Sequence, residues 1–288
     1  MRESVLLSIA DQSVIVDGGK SMRYFDFIVG LAAFIVKNNE SFDGVMEFSF
    51  DQVVDDVPFS PYLSFEVSDT KYCFGEKDGL ARFSMEKTCG DRHKFLMQQV
   101  SPNRFIATEA FNPYEVRAVL LYSYSFFCHK RNLFPMHSSC VVYNGEAVLF
   151  LGKSGTGKST HTKLWCDNFE GASLLNDDCP IVQIGEKIIV HGSPWSGKTH
   201  CYKKQCFPLK AVVKLKQAPE NNMYQLDRQK AAAAIFQSFQ PVLTECDAFA
   251  DYVFDAMSEM ISNVPIYHFD CLPNVEAARI SRKMIFGE

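Results

Sequence analysis

The chain has 288 residues, of which 47% are hydrophobic and 22% are charged, and its formal net charge is −5 at pH 7. This length and composition are typical of a soluble globular protein with one large or two modest domains. The acidic balance, with charges of both signs mixed along the chain, provides no basic field for nucleic acid or for an anionic membrane surface. We therefore expect neither as a partner.

The longest apolar runs are far shorter than the ~20 residues that a membrane span needs, and the chain opens without a charged and apolar leader. We therefore expect a cytoplasmic protein. The ten cysteines include no C-x-x-C pair. This spacing favours buried free thiols over disulfides or a structural zinc site.

The first part of the chain, residues 1–111, is predicted to form a strand-rich domain. Turn signals such as Lys77-Asp78-Gly79 separate short apolar or alternating runs. The clearest strand-like runs are 4–9, 13–16, 62–67 and 71–83. Residues 25–36 lack strand alternation, which favours a helix. The role of this domain is not evident from its residues.

Residues 112–288 are predicted to form a second domain, in which strands and helices alternate. Asn112 and Pro113 are typical of a helix cap and a first helical position, and they precede a predicted helix over 114–131. The further predicted strands are 172–184, 188–191, 208–215 and 265–271, and the further helices are 159–168, 227–239, 245–262 and 274–286.

The most informative segment is the pattern Gly-x-x-x-x-Gly-Lys-Ser at residues 152–159. It follows a predicted strand at 147–151, which an Asn-Gly turn joins to a strand at 136–142. In such a loop, backbone N–H groups point at a polyphosphate and the next helix adds partial positive charge. Lys158 is expected to contact the β and γ phosphates, and the Ser159 hydroxyl to bind Mg²⁺. The residues expected to bind the nucleotide are Gly152, Ser154, Gly155, Thr156, Gly157, Lys158, Ser159 and Thr160.

The same pattern occurs again at residues 192–199. There Pro194 lacks the N–H that such a loop needs, and Trp195 is bulky where the backbone must close on phosphate. Pro208 ends the following segment too soon for a packed helix. We interpret this match as a flanking loop and Trp195 as a packing residue. Lys198 within it is either a surface lysine or a second cation for transition-state charge, and we assign it the catalytic role.

Phosphoryl transfer also requires groups that hold the metal and accept the proton of the acceptor. Asp177 and Asp178, in a strand-like segment after the loop, are the candidates. Adjacent side chains on an extended segment point to opposite sides, so both would face one site only if the chain bends there. The alternative is a solvated acidic turn.

Residues 135–200, with His137-Ser-Ser, GKSGTGKST and LLNDD, resemble the catalytic core of HPr kinase/phosphorylase. They are also similar to the core of ATP-dependent phosphoenolpyruvate carboxykinase. The resemblance implies an α/β fold with a mixed sheet around a P-loop nucleotide-binding core, preceded by the N-terminal strand-rich domain. It also implies that Asp177 transfers the proton, that Asp178 binds the metal with Ser159, and that His137 acts in the site.

Residues 192–221 resemble a bacterial subgroup of HPr kinase-related proteins. The arginine-glycine signature of HPr kinases and the substrate-binding arginines of the carboxykinases are not evident, which argues against HPr and oxaloacetate as acceptors. The sequence therefore predicts a Mg²⁺-dependent kinase that uses ATP, or another nucleoside triphosphate, to phosphorylate a hydroxyl of a peptide, protein or small molecule. The alternatives are a regulatory nucleotide-binding module without catalysis and a carboxykinase-type enzyme. A homo-oligomer is left open.

Overall fold

The computed structural model describes residues 4–36, 41–90 and 93–287. The chain forms two compact units, because most residue contacts lie within one unit or the other. Unit 1 consists of Met1–Arg131 and Pro241–Phe249, and unit 2 consists of Asn132–Gln240 and Ala250–Glu288. Each unit contains one mixed sheet, so the fold is mixed α/β. No helix in the described part of the chain is long and apolar enough to cross a membrane.

Unit 1 is built on an eight-stranded sheet with the order β1-β2-β3-β8-β7-β6-β5-β4. Its strands are β1 (Ser4–Ile9), β2 (Gln12–Asp17), β3 (Gly44–Ser49), β4 (Ser60–Val67), β5 (Thr70–Lys77), β6 (Leu80–Lys87), β7 (Lys94–Ser101) and β8 (Arg104–Ala107). The two-residue turn Asp78-Gly79 joins β5 to β6 with positive φ at both positions, which is the backbone twist that antiparallel hairpins favour.

The predicted helix over residues 25–36 is confirmed only in part. Lys20–Phe27 forms a 3-10 helix, and the helix α1 (Val29–Ala32) is a single turn. Ile35 then pairs with Leu7 of β1 in an isolated antiparallel bridge. Because this contact joins distant parts of the chain, the local sequence of residues 25–36 contains no signal for it.

The long helix of unit 1 is α2 (Pro113–Cys128), which begins at the predicted cap. The Asn112 side chain accepts a hydrogen bond from the Glu115 N–H at 2.9 Å, and the Glu115 carboxylate accepts one from the Phe111 N–H at 2.8 Å. This reciprocal arrangement satisfies two N–H groups at the helix start. The helix packs on strands β3 and β7, so it belongs to unit 1, whereas the predicted domain boundary at residue 111 placed it in the second domain.

Unit 2 is built on a nine-stranded sheet. Its strands are β9 (Leu133–Pro135), β10 (Ser138–Tyr143), β11 (Glu146–Leu151), β12 (Ser173–Asn176), β13 (Ile181–Gln183), β14 (Ile189–His191), β15 (Cys206–Gln217), β16 (Asn222–Gln225) and β17 (Ile266–Cys271). The order is β12-β10-β11-β15-β14-β13-β9, and β17 pairs with β15 and β16. The predicted β10–β11 hairpin is confirmed. Because β11, β15 and β17 run parallel, their carboxyl ends share one edge of the sheet.

Four helices belong to unit 2, namely α3 (Lys158–Asn168), α4 (Arg228–Phe236), α6 (Ala250–Asn263) and α7 (Val275–Phe286). Between α4 and α6 the chain enters unit 1 through α5 (Pro241–Thr244) and a 3-10 turn at Asp247–Phe249. The predicted helix over 245–262 is therefore wrong at its start, because this separate turn precedes α6.

Helices α3 and α7 pack together over one face of this sheet, around a buried polar cluster. Trp165 Nε1 donates to Ser281 Oγ at 3.0 Å, and His161 Nε2 lies 3.0 Å from the same oxygen. The Ser281 hydroxyl donates its single hydrogen to the Ala278 carbonyl. His161 Nε2 must therefore carry a hydrogen and donate it to Ser281 Oγ. A neutral imidazole with its hydrogen on Nε2 can do this.

We expect the stability of unit 2 to fall in mild acid because of His161. Burial lowers the pKa of His161 to about 4, whereas an unfolded histidine has a pKa of about 6.5. The unfolded chain therefore binds the extra proton first, and the free energy of unfolding decreases by up to about 3 kcal/mol as the pH falls from about 6.5 to about 4. Urea unfolding monitored by tryptophan fluorescence reports on unit 2, since Trp165 and Trp195 are the two tryptophans of the chain.

A His161→Gln variant keeps a hydrogen-bond donor at this position but has no group that takes up a proton. We therefore expect its free energy of unfolding to depend less on pH between about 6.5 and about 4. The exposed His200 is the matched control, and His200→Gln should retain the wild-type slope. Equal slopes in His161→Gln and the wild type would contradict the prediction.

Candidate functional site

The predicted phosphate-binding loop connects the carboxyl end of β11 to α3. Gly152, Gly155 and Gly157 have φ values of +155°, +81° and +104°, which residues with a Cβ adopt only with strain. A Cβ at Gly152 would lie 3.0 Å from the Thr156 side chain. The Thr156 hydroxyl donates to the Lys153 carbonyl at 2.7 Å. The loop therefore turns tightly on itself before the helix begins.

Helix α3 begins at Lys158, directly after Gly157 in the left-handed conformation. Ser159 and Thr160 lie in its first turn, where backbone N–H groups have no partner within the helix and carry partial positive charge. Ser159 is half-buried. The exposed residues of the loop and the first turn include Ser154, Gly155 and Thr160. These N–H groups and hydroxyls form an edge suited to an anion.

The Lys158 side chain is buried and folds back over the loop. Its ammonium donates to the Gly152 carbonyl at 2.8 Å and lies 3.1 Å from His137 Nε2. A lysine ammonium has donors only, so Nε2 accepts and the hydrogen of the neutral imidazole is on Nδ1. Burial lowers the pKa of Lys158, and the nearby Asp178 and Asp177 carboxylates oppose this effect.

His137 lies directly before β10, where its backbone N–H donates to the Ser238 carbonyl at 2.6 Å. Its Nε2 is also 3.8 Å from the Asp178 carboxylate. Burial and the Lys158 ammonium lower the pKa of His137, whereas Asp178 raises it. The imidazole is therefore neutral at neutral pH. The structure thus brings Lys158, His137 and Asp178 together at one end of the loop.

The acid pair lies on a bend rather than on a continuous strand. Asn176 Oδ1 accepts hydrogen bonds from the Asp178 N–H at 2.9 Å and from the Cys179 N–H at 2.8 Å. A side chain that binds the backbone two and three residues ahead competes with a strand ladder. The predicted strand over 172–184 is therefore split into β12 and β13.

The two carboxylates have different surroundings. Asp177 is only 3% exposed. Its Oδ1 accepts from the Ser139 hydroxyl at 3.0 Å and its Oδ2 from the Thr199 N–H at 3.1 Å. The Asp178 side chain is 38% exposed, beside His137. Asp178 is thus accessible at the loop, whereas Asp177 is held within the protein.

The loop at residues 192–199, which is the second match to the phosphate-loop pattern, packs against the acid pair. Residues 192–205 include no helix, and a Cβ at Gly197 would lie 3.1 Å from the Asp177 carbonyl oxygen. Trp195 is buried, and its carbonyl accepts from Asn176 Nδ2 at 3.1 Å. Lys198, predicted to be a second cation, is exposed between Gly197 and Thr199. This arrangement is consistent with a flanking loop whose backbone contacts Asp177.

The protein oxygens at the loop suit magnesium. Among residues 4–36, 41–90 and 93–287, no group of three or more His, Cys, Asp and Glu side chains is placed to hold a metal ion. Magnesium in nucleotide sites binds through one or two carboxylates together with phosphate oxygens and water. The Ser159 hydroxyl and the Asp178 carboxylate would hold it in that way.

Three residues of this site were not found by sequence reasoning. Ser139 and Asn176 are fully buried polar residues on strands. They occur within the His137-Ser-Ser and LLNDD motifs, but the sequence assigned no role to either of them. Gln217 lies at the carboxyl end of β15 and donates to the Gly155 carbonyl at 3.0 Å. The rule that ligands bind beyond the carboxyl ends of parallel strands could have indicated Gln217.

Comparisons with known proteins give a family match and distant similarity to solved structures. A solved structure of the Hpr(Ser) kinase/phosphatase from Coxiella burnetii is 13% identical, with the match covering 52% of this chain and 97% of that chain at a TM-score of 0.31. That TM-score is too low to establish a shared fold. A search of curated proteins gives no match. The family model described as SynChlorMet cassette protein ScmC matches residues 115–273, more than half of the chain. The chain therefore belongs to the SynChlorMet cassette protein ScmC family.

Proposed function

We propose that this protein is a kinase-like phosphotransferase that uses ATP, or another nucleoside triphosphate, with Mg²⁺ to phosphorylate a hydroxyl of a peptide, protein or small molecule. One observation supports this above all. The buried Lys158 ammonium contacts the glycine-rich loop and the neutral His137, next to the Asp178 carboxylate. A cation, a glycine-rich loop at a helix start and a carboxylate are parts that phosphoryl transfer requires.

In this proposal the loop from Gly152 to Thr160 binds the nucleotide phosphates through its backbone N–H groups. Lys158 exchanges its contact with the Gly152 carbonyl for a phosphate oxygen, which gives the buried cation a charged partner. His137 accepts from Lys158 at 3.1 Å and so orients the ammonium. Ser159 and Asp178 would hold Mg²⁺, which would supply positive charge against the developing phosphate charge.

The acceptor side of the site is proposed to involve Asp177 and Lys198. Each oxygen of a carboxylate can accept two hydrogen bonds, so Asp177 retains acceptor capacity beside its bonds from Ser139 and Thr199. Its burial means that the Thr199 contact must open before an acceptor hydroxyl reaches it. Lys198 is exposed and directly follows Gly197, which lies against Asp177. It would then stabilise charge on the transferred group.

The test combines a binding measurement and a transfer measurement on the same protein. Calorimetry with ATP and Mg²⁺ should show binding, and γ-labelled ATP incubated with hydroxyl-bearing peptides and small molecules should label an acceptor. Labelling must depend on Asp177. No transfer to any acceptor, with the wild type matching Asp177→Asn, would reject the kinase.

A regulatory nucleotide-binding module is the second proposal, because the burial of Asp177 favours a site that binds without turning over. Its signature is ATP binding with neither transfer nor hydrolysis above background. An assay with oxaloacetate tests the remaining carboxykinase reaction, which this proposal expects to be absent.

A further inference from the structure

A second cavity lies wholly within unit 1 and shares no residue with the phosphate loop or the acid pair. Its volume is about 180 Å³. The hairpin of β5 and β6, the end of α2 and the segment Pro241–Phe249 line it. A cavity of roughly 150 Å³ is known to hold one benzene molecule. The space in unit 1 therefore suits one small organic molecule with a single ring or a branched chain.

Three phenylalanines are among the apolar residues that line this cavity. Phe126 and Phe127 lie at the end of α2. Phe249 is the last residue of the segment Pro241–Phe249, which belongs to unit 1. The Phe249 ring lies 5.5 Å from the Phe126 ring and 4.5 Å from the His129 ring. Burial lowers the pKa of His129 to about 4, so this ring is neutral at neutral pH and adds to an uncharged wall.

Tyr62 also lines this cavity, but its hydroxyl is not accessible to a ligand. Within the described part of the chain, the hydroxyl oxygen is shielded from solvent and lies beside the Cys246 thiol, which is a weak hydrogen-bonding group. Burial raises the pKa of Tyr62, and the neighbouring Cys246 and Glu76 raise it further. The Tyr62 hydroxyl is therefore neutral, and the charged contacts of a ligand come from other groups.

The cavity also carries charges of opposite sign. Glu76, at the end of β5, and Lys130, after α2, line it and are exposed. Arg131 also lines it, but its guanidinium is occupied. It donates to the Phe127 carbonyl at 2.7 Å and stacks 3.8 Å over the Phe127 ring. Glu76 and Lys130 thus remain as one acidic and one basic group beside an aromatic space.

We propose that this cavity binds a free α-amino acid with an apolar side chain. The side chain packs among Phe126, Phe127 and Phe249. The ammonium donates to the Glu76 carboxylate, and the carboxylate accepts from the Lys130 ammonium. A molecule of this class matches the volume, the apolar wall and both charges, whereas a simple hydrocarbon would leave both charged groups without a partner in the cavity.

Calorimetry on the full chain with three probes tests this proposal. L-Phenylalanine should bind, whereas phenylacetate, which lacks the ammonium, and 2-phenylethylamine, which lacks the carboxylate, should each bind at least about 10-fold more weakly. Glu76→Gln should weaken L-phenylalanine by about 10-fold and leave phenylacetate unchanged.

The matched control is Lys71→Ala, an exposed substitution on β5 outside the cavity, which should bind L-phenylalanine like the wild type. Three outcomes would overturn the proposal. They are no binding of L-phenylalanine at about 10 mM, equal binding of all three phenyl probes, or unchanged L-phenylalanine binding by Glu76→Gln. None of these measurements depends on nucleotide or on phosphoryl transfer.

Discussion

Replacing Lys158 with methionine is expected to weaken binding of ATP and Mg²⁺ by about 100-fold or more, and to reduce transfer at least as strongly. The Lys158 ammonium is the cation at the loop, 2.8 Å from the Gly152 carbonyl and 3.1 Å from His137. Methionine has a similar length and is tolerated in a buried position. The loss of ATP affinity therefore reports the contribution of the positive charge rather than that of the side-chain volume. Calorimetric titration with ATP is the direct measurement.

The neighbouring Lys153 provides the control, because its side chain is exposed and only its carbonyl takes part in the loop. Lys153→Met should bind ATP nearly as the wild type does. Removing a desolvated cation need not lower stability, so urea unfolding of Lys158→Met should remain close to wild type. Wild-type affinity in Lys158→Met would place the nucleotide outside this loop and remove the main support for the proposed function.

The local parts of the site could be predicted from the sequence because short-range patterns specify them. The Asn144-Gly145 turn has positive φ at both residues and joins β10 to β11, as an Asn-Gly pair between two apolar runs predicts. The Asn112 cap depends on contacts within four residues. The Gly-rich loop and the start of α3 at Lys158 are likewise local.

The non-local parts could not be predicted. The bend at the acid pair depends on Asn176, whose amide also donates to the Ser193 and Trp195 carbonyls, and no pattern in the sequence links these segments. The contact of Ser139 with Asp177 joins strand β10 to the bend after β12. The packing of Pro241–Phe249 in unit 1 is set by partners such as Phe126, which are far away in the chain.

The two aspartates are expected to differ when each is replaced by asparagine. Asp178 is half-exposed beside His137, and its carboxylate is proposed to hold Mg²⁺ with Ser159. Asp178→Asn should therefore weaken binding of ATP in the presence of Mg²⁺ and leave the weaker, metal-free binding almost unchanged. Asp177 contacts no residue of the phosphate loop among its described hydrogen bonds. Asp177→Asn should retain ATP affinity and lower the rate of transfer by about 10²–10⁴-fold, the usual contribution of a positioned proton acceptor.

The fold is expected to tolerate Asp177→Asn, which makes this comparison clean. An asparagine oxygen can accept from the Thr199 N–H while its NH₂ group donates to the Ser139 hydroxyl, since that hydroxyl both donates and accepts. Both buried contacts survive, and only the negative charge is lost. Isothermal titration with and without Mg²⁺, combined with single-turnover labelling, separates binding from chemistry. If Asp178→Asn instead spares metal-dependent binding and abolishes transfer, while Asp177→Asn is silent, Asp178 is the proton acceptor and Asp177 only positions the turn.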